Sequence, residues 1–214
     1  MPKNPAPAPA STTTDRYDDA DTYDGYEADE YEDDGYEDDD YEEKPVVETL
    51  VEDDRFGALT VRLDMRLGEV TVQGDSVPRV ELLRAEGTEA EDHIPVGTRD
   101  GSRLTLTVDG EEVVLDPAKG RLSRRSYRVD VRHAGRTWRL VPDSIPGSRL
   151  LRDEQHIGDF SSDGDGRVLV EWREDAEPEP LDAALGYALA AAFGTGAQPW
   201  WMIAIEMVGD MTPG

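Results

Sequence analysis

Residues 181–193, which read LDAALGYALAAAF, decide the fold of this chain. After Asp182 the next charged residue is Glu206, so a helix over this stretch is apolar on nearly every side. A surface helix of a soluble protein carries an apolar stripe only about 100° wide. This helix must therefore be surrounded by protein or by lipid.

The flanking residues predict where the helix begins and ends. Pro180 suits a first helical turn, and Glu179 and Asp182 place negative charge where the helix dipole favours it. Gly194 and Gly196 permit a left-handed cap. We therefore predict a helix over residues 180–194.

A membrane span is the alternative to a core helix. The uncharged run 183–205 is long enough, because a bilayer takes about 20 apolar residues. However, the glycines and Pro199 would interrupt a spanning helix, and no Lys or Arg flanks either end. We therefore expect the helix to be enclosed by protein.

The chain before the helix is patterned as short β-strands. The clearest alternation places apolar residues on one face of a strand, at Leu59, Val61, Leu63, Met65 and Leu67. Asp109-Gly110 separates two further strand segments and predicts a two-residue hairpin turn. About nine to eleven such segments recur between residues 46 and 172, at intervals of about 8–12 residues. The predicted fold is mainly β: an antiparallel β-barrel of short hairpins around the C-terminal apolar helix.

Residues 1–45 are predicted to form a disordered acidic tail before the barrel domain, which takes residues 46–214. The tail begins with alternating Pro and Ala and continues as a run rich in Tyr, Asp and Glu. The first 48 residues carry 18 of the 49 acidic side chains and only three basic ones. Three roles stay open for this tail: a solubilising chain, a segment that docks on a basic partner, and a DNA mimic or tyrosine-phosphorylation segment.

A second apolar segment, residues 199–209, follows the helix. Its spacing favours another helix over a strand. Trp200 and Trp201 begin it, and they are interpreted as a core plug or as a contact with a partner or membrane.

Several function classes receive no support from the composition. The chain has no cysteine, and its three histidines, at 93, 133 and 156, fall in separate loops or turns. No catalytic motif or cofactor is predicted, although an enzyme with a dispersed site stays open. The N-terminus lacks an apolar signal segment, so we expect a cytoplasmic protein, with a peripheral membrane location as the alternative. The preference for Arg over Lys is typical of GC-rich, actinobacterial genes.

The segment from Lys119 to Arg152 is basic: it contains ten basic residues and only two acidic ones. Alternation places Arg128, Arg132 and Arg139 on one solvent face, and Arg124 and Arg125 lie in the preceding loop. We predict an anion-binding or partner-binding surface at these five residues; a barrel exterior balanced by acids on neighbouring strands is the alternative. The expected partner is a protein. Anionic lipid is a second candidate, nucleic acid is disfavoured, and the acidic tail is a candidate to pack on its own basic face.

The order of these elements resembles the tubby C-terminal-like superfamily, which includes LURP-one-related and scramblase-like proteins. The resemblance is carried by the strand series 59–172, the helix 181–193, and the phrases RLLRD at 149–153 and IGDF at 157–160. It implies a closed barrel around a central apolar helix, and a binding module or scaffold, often at membranes, without established catalysis. Residues 200–208 continue past the expected end of such a fold, and no residue set matches the phosphoinositide site of tubby proteins.

Overall fold

The computed structural model describes residues 46–120, 123–144, 146–162 and 166–196. The predicted acidic tail 1–45 and the second apolar segment 199–209, with Trp200 and Trp201, lie outside these residues. The strands are β1 Val46–Asp53, β2 Gly57–Asp64, β3 Glu69–Gly74, β4 Val77–Arg84, β5 Leu104–Val108, β6 Glu111–Pro117, β7 Val129–His133, β8 Arg136–Pro142, β9 Gly147–Arg152, β10 Gln155–Ser161 and β11 Leu169–Trp172. The helix α1 is Pro180–Phe193, and short 3-10 helices occupy Gly101–Arg103 and Arg124–Tyr127.

The eleven strands form one antiparallel sheet in which each strand pairs with the next along the chain. The sheet curls into a nearly closed barrel, so the predicted mainly β fold is confirmed. Tight turns permit this order. Asp109 and Gly110 both have positive φ, at 49° and 81°, as the predicted two-residue hairpin turn requires.

Helix α1 occupies the barrel interior, as predicted. Every residue from 182 to 193 is buried, and the helix packs against β2–β4 on one side and β8–β10 on the other. Small side chains let the strands approach the helix closely. At Gly186, a Cβ atom would collide with the Phe160 ring and lie 3.0 Å from Leu150 Cδ2. The helix ends as expected at Gly194, whose φ is 67°.

A buried carboxylate anchors the first turn of the helix. Asp182 is fully buried and accepts hydrogen bonds from Trp138 Nε1 at 2.7 Å and Arg152 Nη1 at 2.6 Å. Its Oδ2 also accepts the backbone N–H of Glu179 at 2.7 Å. Burial raises the pKa of Asp182, and these donors offset part of that rise. The sequence predicts Asp182 only as a negative charge that the helix dipole favours. In the structure, Asp182 also links the helix to β8 and β9 through Trp138 and Arg152.

Among the described residues, no β-ladder joins the first strand to the last, and the two meet at a seam. Side chains close one end of it: Trp172 Nε1 on β11 donates to Asp53 Oδ2 on β1 at 3.0 Å. The Phe56 and Phe160 rings pack edge-on against Trp172, with centroids 5.8 and 5.6 Å away. These contacts hold the barrel edges together through side chains, at a seam that no ladder of the described strands crosses.

The loop 85–103 between β4 and β5 folds over the end of α1. The backbone N–H of Val96 donates to Ala192 O at 2.9 Å, which satisfies one of the last helical carbonyls. Within the described part of the chain, no helix is long and apolar enough to cross a membrane.

Candidate functional site

Three of the five predicted arginines lie on the outer face of the barrel. Arg132 on β7 and Arg139 on β8 are exposed, and Arg128 is exposed immediately before β7. Their neighbours Val131 and Trp138 point inward and are buried. The period-two alternation thus places these arginines on a common solvent face, as the sequence predicts.

One carboxylate is shared between two of these arginines. Asp130 accepts from Arg128 Nε at 3.1 Å and from Arg139 Nε at 2.5 Å. Asp130 and Arg139 are also directly opposite each other in the β7–β8 ladder. Exposed ion pairs of this kind each contribute at most about 1 kcal/mol to stability. Two of the three charges are therefore already partly neutralised within the sheet.

Arg132 differs from its two neighbours. Its side chain has no hydrogen bond or ion pair with any described residue. It lies opposite Val114 on β6 and Thr137 on β8. Val114 is itself 51% exposed, so a free cation and an apolar side chain are adjacent on the outer sheet.

These residues line a groove of about 390 Å³ on the outer sheet. The lining residues are Asp116, Arg128, Asp130, Val131, Arg132, Thr137, Arg139, Leu151 and Glu154. Three arginines and three carboxylates leave this lining, hereafter the arginine groove, without net charge. The field of such a mixed lining falls off quickly with distance, because its opposite charges offset one another and salt screens exposed charges beyond about one Debye length.

The other predicted site residues lie elsewhere. Arg125 is exposed on the 3-10 helix Arg124–Tyr127, where the sequence suggested a loop, and it does not line the arginine groove. The side chain of Arg124, together with Trp200 and Trp201, falls outside what the structure describes.

A buried cation that the sequence reasoning missed lies at the opposite end of α1 from Asp182. Arg99 is only 8% exposed, and its Nε donates to Ala118 O at 2.9 Å. Its Nη2 donates to the backbone carbonyls of Tyr127 and Arg128. The guanidinium carbon also lies 5.0 Å from the centre of the Phe193 ring and 5.7 Å from that of Tyr127.

No carboxylate among the described residues forms an ion pair with Arg99. Burial lowers the pKa of Arg99 to about 10, so the side chain remains protonated at neutral pH. Carbonyl oxygens, aromatic faces and the negative end of the helix dipole stabilise this charge. No local sequence signal indicates the arrangement, because it requires the loop 85–103 to fold back onto the end of α1.

A recess of about 260 Å³ opens beside Arg99 at this end of the barrel. Besides Arg99, it is lined by Glu91, His93, Ile94, Thr98, Asp100, Lys119 and Tyr127. The lining joins a buried cation to an exposed one, Lys119. We call this the Arg99 recess.

In comparisons with known proteins, no family model, curated protein or solved structure matched the chain.

Proposed function

We propose that the chain is a non-enzymatic, cytoplasmic binding module of tubby-like barrel fold, and that its arginine groove docks an acidic segment of a partner protein. The observation that carries this proposal is Arg132, an exposed cation with no partner among the described residues. A carboxylate of the partner would form a charge-assisted hydrogen bond with it. Arg128 and Arg139, held in place by Asp130, flank this position.

The groove favours a protein segment over a lipid surface. Its lining has no net charge, so it lacks the strong positive field that draws proteins onto anionic bilayers. Apolar surface lies beside the cation at Val114 and Leu151. A peptide can place a carboxylate on Arg132 in the groove and an apolar side chain on Val114, which lies opposite Arg132 and outside the groove lining.

The chain's own acidic stretch, residues 1–45, is a second candidate ligand for the groove, because it is rich in Asp and Glu. We propose that the tail competes loosely and reversibly for the same surface. Removing residues 1–44 should then raise the affinity for acidic ligands at low salt; unchanged affinity would remove this part of the proposal.

The test is a binding titration with a labelled peptide rich in Glu, Asp and Leu, followed by fluorescence anisotropy. Arg132→Glu should weaken binding at least about five-fold, because it replaces the free cation with a repelling charge. Arg66→Glu is the matched control, since Arg66 is exposed in the turn after β2, away from the groove. Equal losses for both variants would show that only overall charge matters.

Lipid binding is measured with the same variants. Vesicles containing about 30% phosphatidylserine should bind weakly, and Arg132→Glu should leave that binding unchanged. Strong binding that Arg132→Glu abolishes would replace the protein-partner proposal with a peripheral membrane function.

A further inference from the structure

The most unusual charge in the described structure is the guanidinium of Arg99, which is buried without an ion-pair partner. Burying a cation is unfavourable unless its donors are satisfied and its charge is offset. Three of its donor contacts go to the backbone carbonyls of Ala118, Tyr127 and Arg128. The third nitrogen, Nη1, has no hydrogen bond with a described residue and is not fully enclosed. One edge of the guanidinium is therefore available to the Arg99 recess.

We propose that the Arg99 recess binds a small tetrahedral oxyanion, either phosphate or a phosphate monoester. The volume of about 260 Å³ lies below the range of about 300–1,000 Å³ typical of drug-sized ligand sites, so a small ligand fits best. This site is separate from the arginine groove and does not depend on the function proposed for it.

The donors around the recess favour a tetrahedral anion over a carboxylate. A carboxylate pairs best with a guanidinium when it takes two parallel N–H groups. Because Nε and Nη2 of Arg99 already bind backbone carbonyls, only Nη1 is left, and a bidentate pair cannot form. Lys119 supplies a second, separate positive charge, and Thr98 supplies a hydroxyl group. Single donors from different directions suit an anion with several acceptor oxygens.

Lys119 is free to take part. It is exposed and has no hydrogen bond or ion pair with any described residue. Thr98 is buried, and its Oγ1 accepts the backbone N–H of Asp100 at 3.1 Å, which leaves the hydroxyl proton available for donation. The recess therefore offers a buried cation, an exposed cation and an oriented hydroxyl.

Two carboxylates, those of Asp100 and Glu91, also line the recess and would repel an anion. The Oδ1 atom of Asp100 accepts the backbone N–H of Ser102 at 3.1 Å and its hydroxyl at 2.7 Å, and the charge of Lys119 is among the causes that lower the pKa of Asp100, after these hydrogen bonds. Glu91 is exposed, and its contact with His93 Nε2 is long, at 3.8 Å. In the ligand-free protein, the negative charge of Glu91 partly offsets the positive charge of Arg99. An incoming anion would displace this exposed side chain toward solvent.

The experiment is a titration of the full chain with inorganic phosphate, followed by backbone amide chemical shifts at constant ionic strength set with sodium chloride. Shift changes should saturate and should cluster in residues 91–100, at Lys119 and at Tyr127. Lys119→Ala should weaken phosphate binding about five-fold, and Glu91→Gln should strengthen it by a similar factor. Arg103→Ala is the control, because Arg103 is exposed nearby but does not line the recess.

Vesicles containing phosphatidic acid distinguish a lipid headgroup from a soluble ligand. If the ligand is soluble, phosphate and a short phosphate monoester should bind, and the vesicles should not compete. If the vesicles compete with phosphate, and Lys119→Ala weakens the binding of vesicles and phosphate equally, the ligand is a lipid headgroup. Non-saturating shifts, shifts centred on the arginine groove, or equal effects of Lys119→Ala and Arg103→Ala would each overturn the proposal.

Discussion

The hydroxyl of Tyr187 donates a hydrogen bond of 2.9 Å to Oδ2 of Asp53, a residue 134 positions earlier in the chain. Trp172 on β11 donates to the same carboxylate, and the backbone N–H groups of Arg55 and Phe56 donate to its other oxygen. Asp53 therefore joins the central helix, the first strand and the last strand. Asp53 thus lies at the end of the barrel seam that side chains close, where it links both edges of the sheet to the helix.

Removing that carboxylate should destabilise the fold strongly. Asp53→Ala leaves the buried hydroxyl of Tyr187 and the partly buried indole N–H of Trp172 without their acceptor, and we expect a loss of about 3 kcal/mol in the free energy of unfolding. Asp75→Ala, at an exposed turn, should change it by less than about 0.5 kcal/mol. Urea unfolding followed by circular dichroism measures both. Similar small losses for the two variants would contradict the role of Asp53.

Tyr187 should make the fold sensitive to alkali. Burial, followed by the negative charge of Asp53, raises the pKa of Tyr187 above its ordinary value of 10.0. The folded protein therefore keeps the phenolic proton where the unfolded chain loses it. The stabilisation is complete below pH 10 and is lost as the pH rises above it, at up to about 1.4 kcal/mol per pH unit.

Tyr187→Phe should remove this pH dependence, while it lowers stability at neutral pH by about 1–2 kcal/mol. Unfolding free energies measured at about pH 8 and pH 11 for both proteins give the comparison. Parallel losses in the two proteins between these pH values would show that Tyr187 does not titrate as described.

Arg152 should be essential to the helix anchor. Its Nη1 lies 2.6 Å from Asp182 Oδ2 and 3.0 Å from Glu179 Oε1. Arg152→Met leaves the buried carboxylate of Asp182 without its cation, which we expect to cost about 3–5 kcal/mol. Arg66→Met is the surface control. Adding Asp182→Asn to Arg152→Met should recover part of the loss, because the uncompensated charge is removed; full additivity would argue against a coupled pair.

Gly186 should reject any larger side chain. In an isolated helix, alanine is favoured over glycine by about 1 kcal/mol. Here the added methyl group would collide with the Phe160 ring, so Gly186→Ala should destabilise the protein by about 1–3 kcal/mol. Phe160→Leu makes room, and the double variant should lose at least about 0.5 kcal/mol less than the sum of the single losses. Additive losses of stability would show that the strain does not come from the contact between residue 186 and the Phe160 ring.

The parts of the fold that local pattern determines could be predicted from the sequence. Helix α1 follows from an uninterrupted apolar run with a proline at its start and a glycine at its end. The positive φ angles of Asp109 and Gly110 follow from the chemistry of that turn. Such features need only neighbouring residues.

Features that depend on distant residues could not be predicted in this way. Alternation placed Arg128, Arg132 and Arg139 on one face, but it did not reveal how their charges are balanced, because Asp116 and Glu154 reach the groove from outside β7 and β8. Likewise, nothing near Arg99 in the sequence indicates that Phe193 covers it. The seam at Asp53 depends in the same way on contacts across more than 100 residues.

The proposed docking of an acidic segment in the arginine groove is tested most directly by locating the bound acidic peptide on the full chain. Backbone amide shifts are recorded while the Glu-, Asp- and Leu-rich peptide is added. We expect saturating changes at Val114, Arg132 and Thr137, which disappear in Arg132→Glu and persist in Arg66→Glu. Changes that lie away from the arginine groove, or that Arg132→Glu leaves intact, would contradict it.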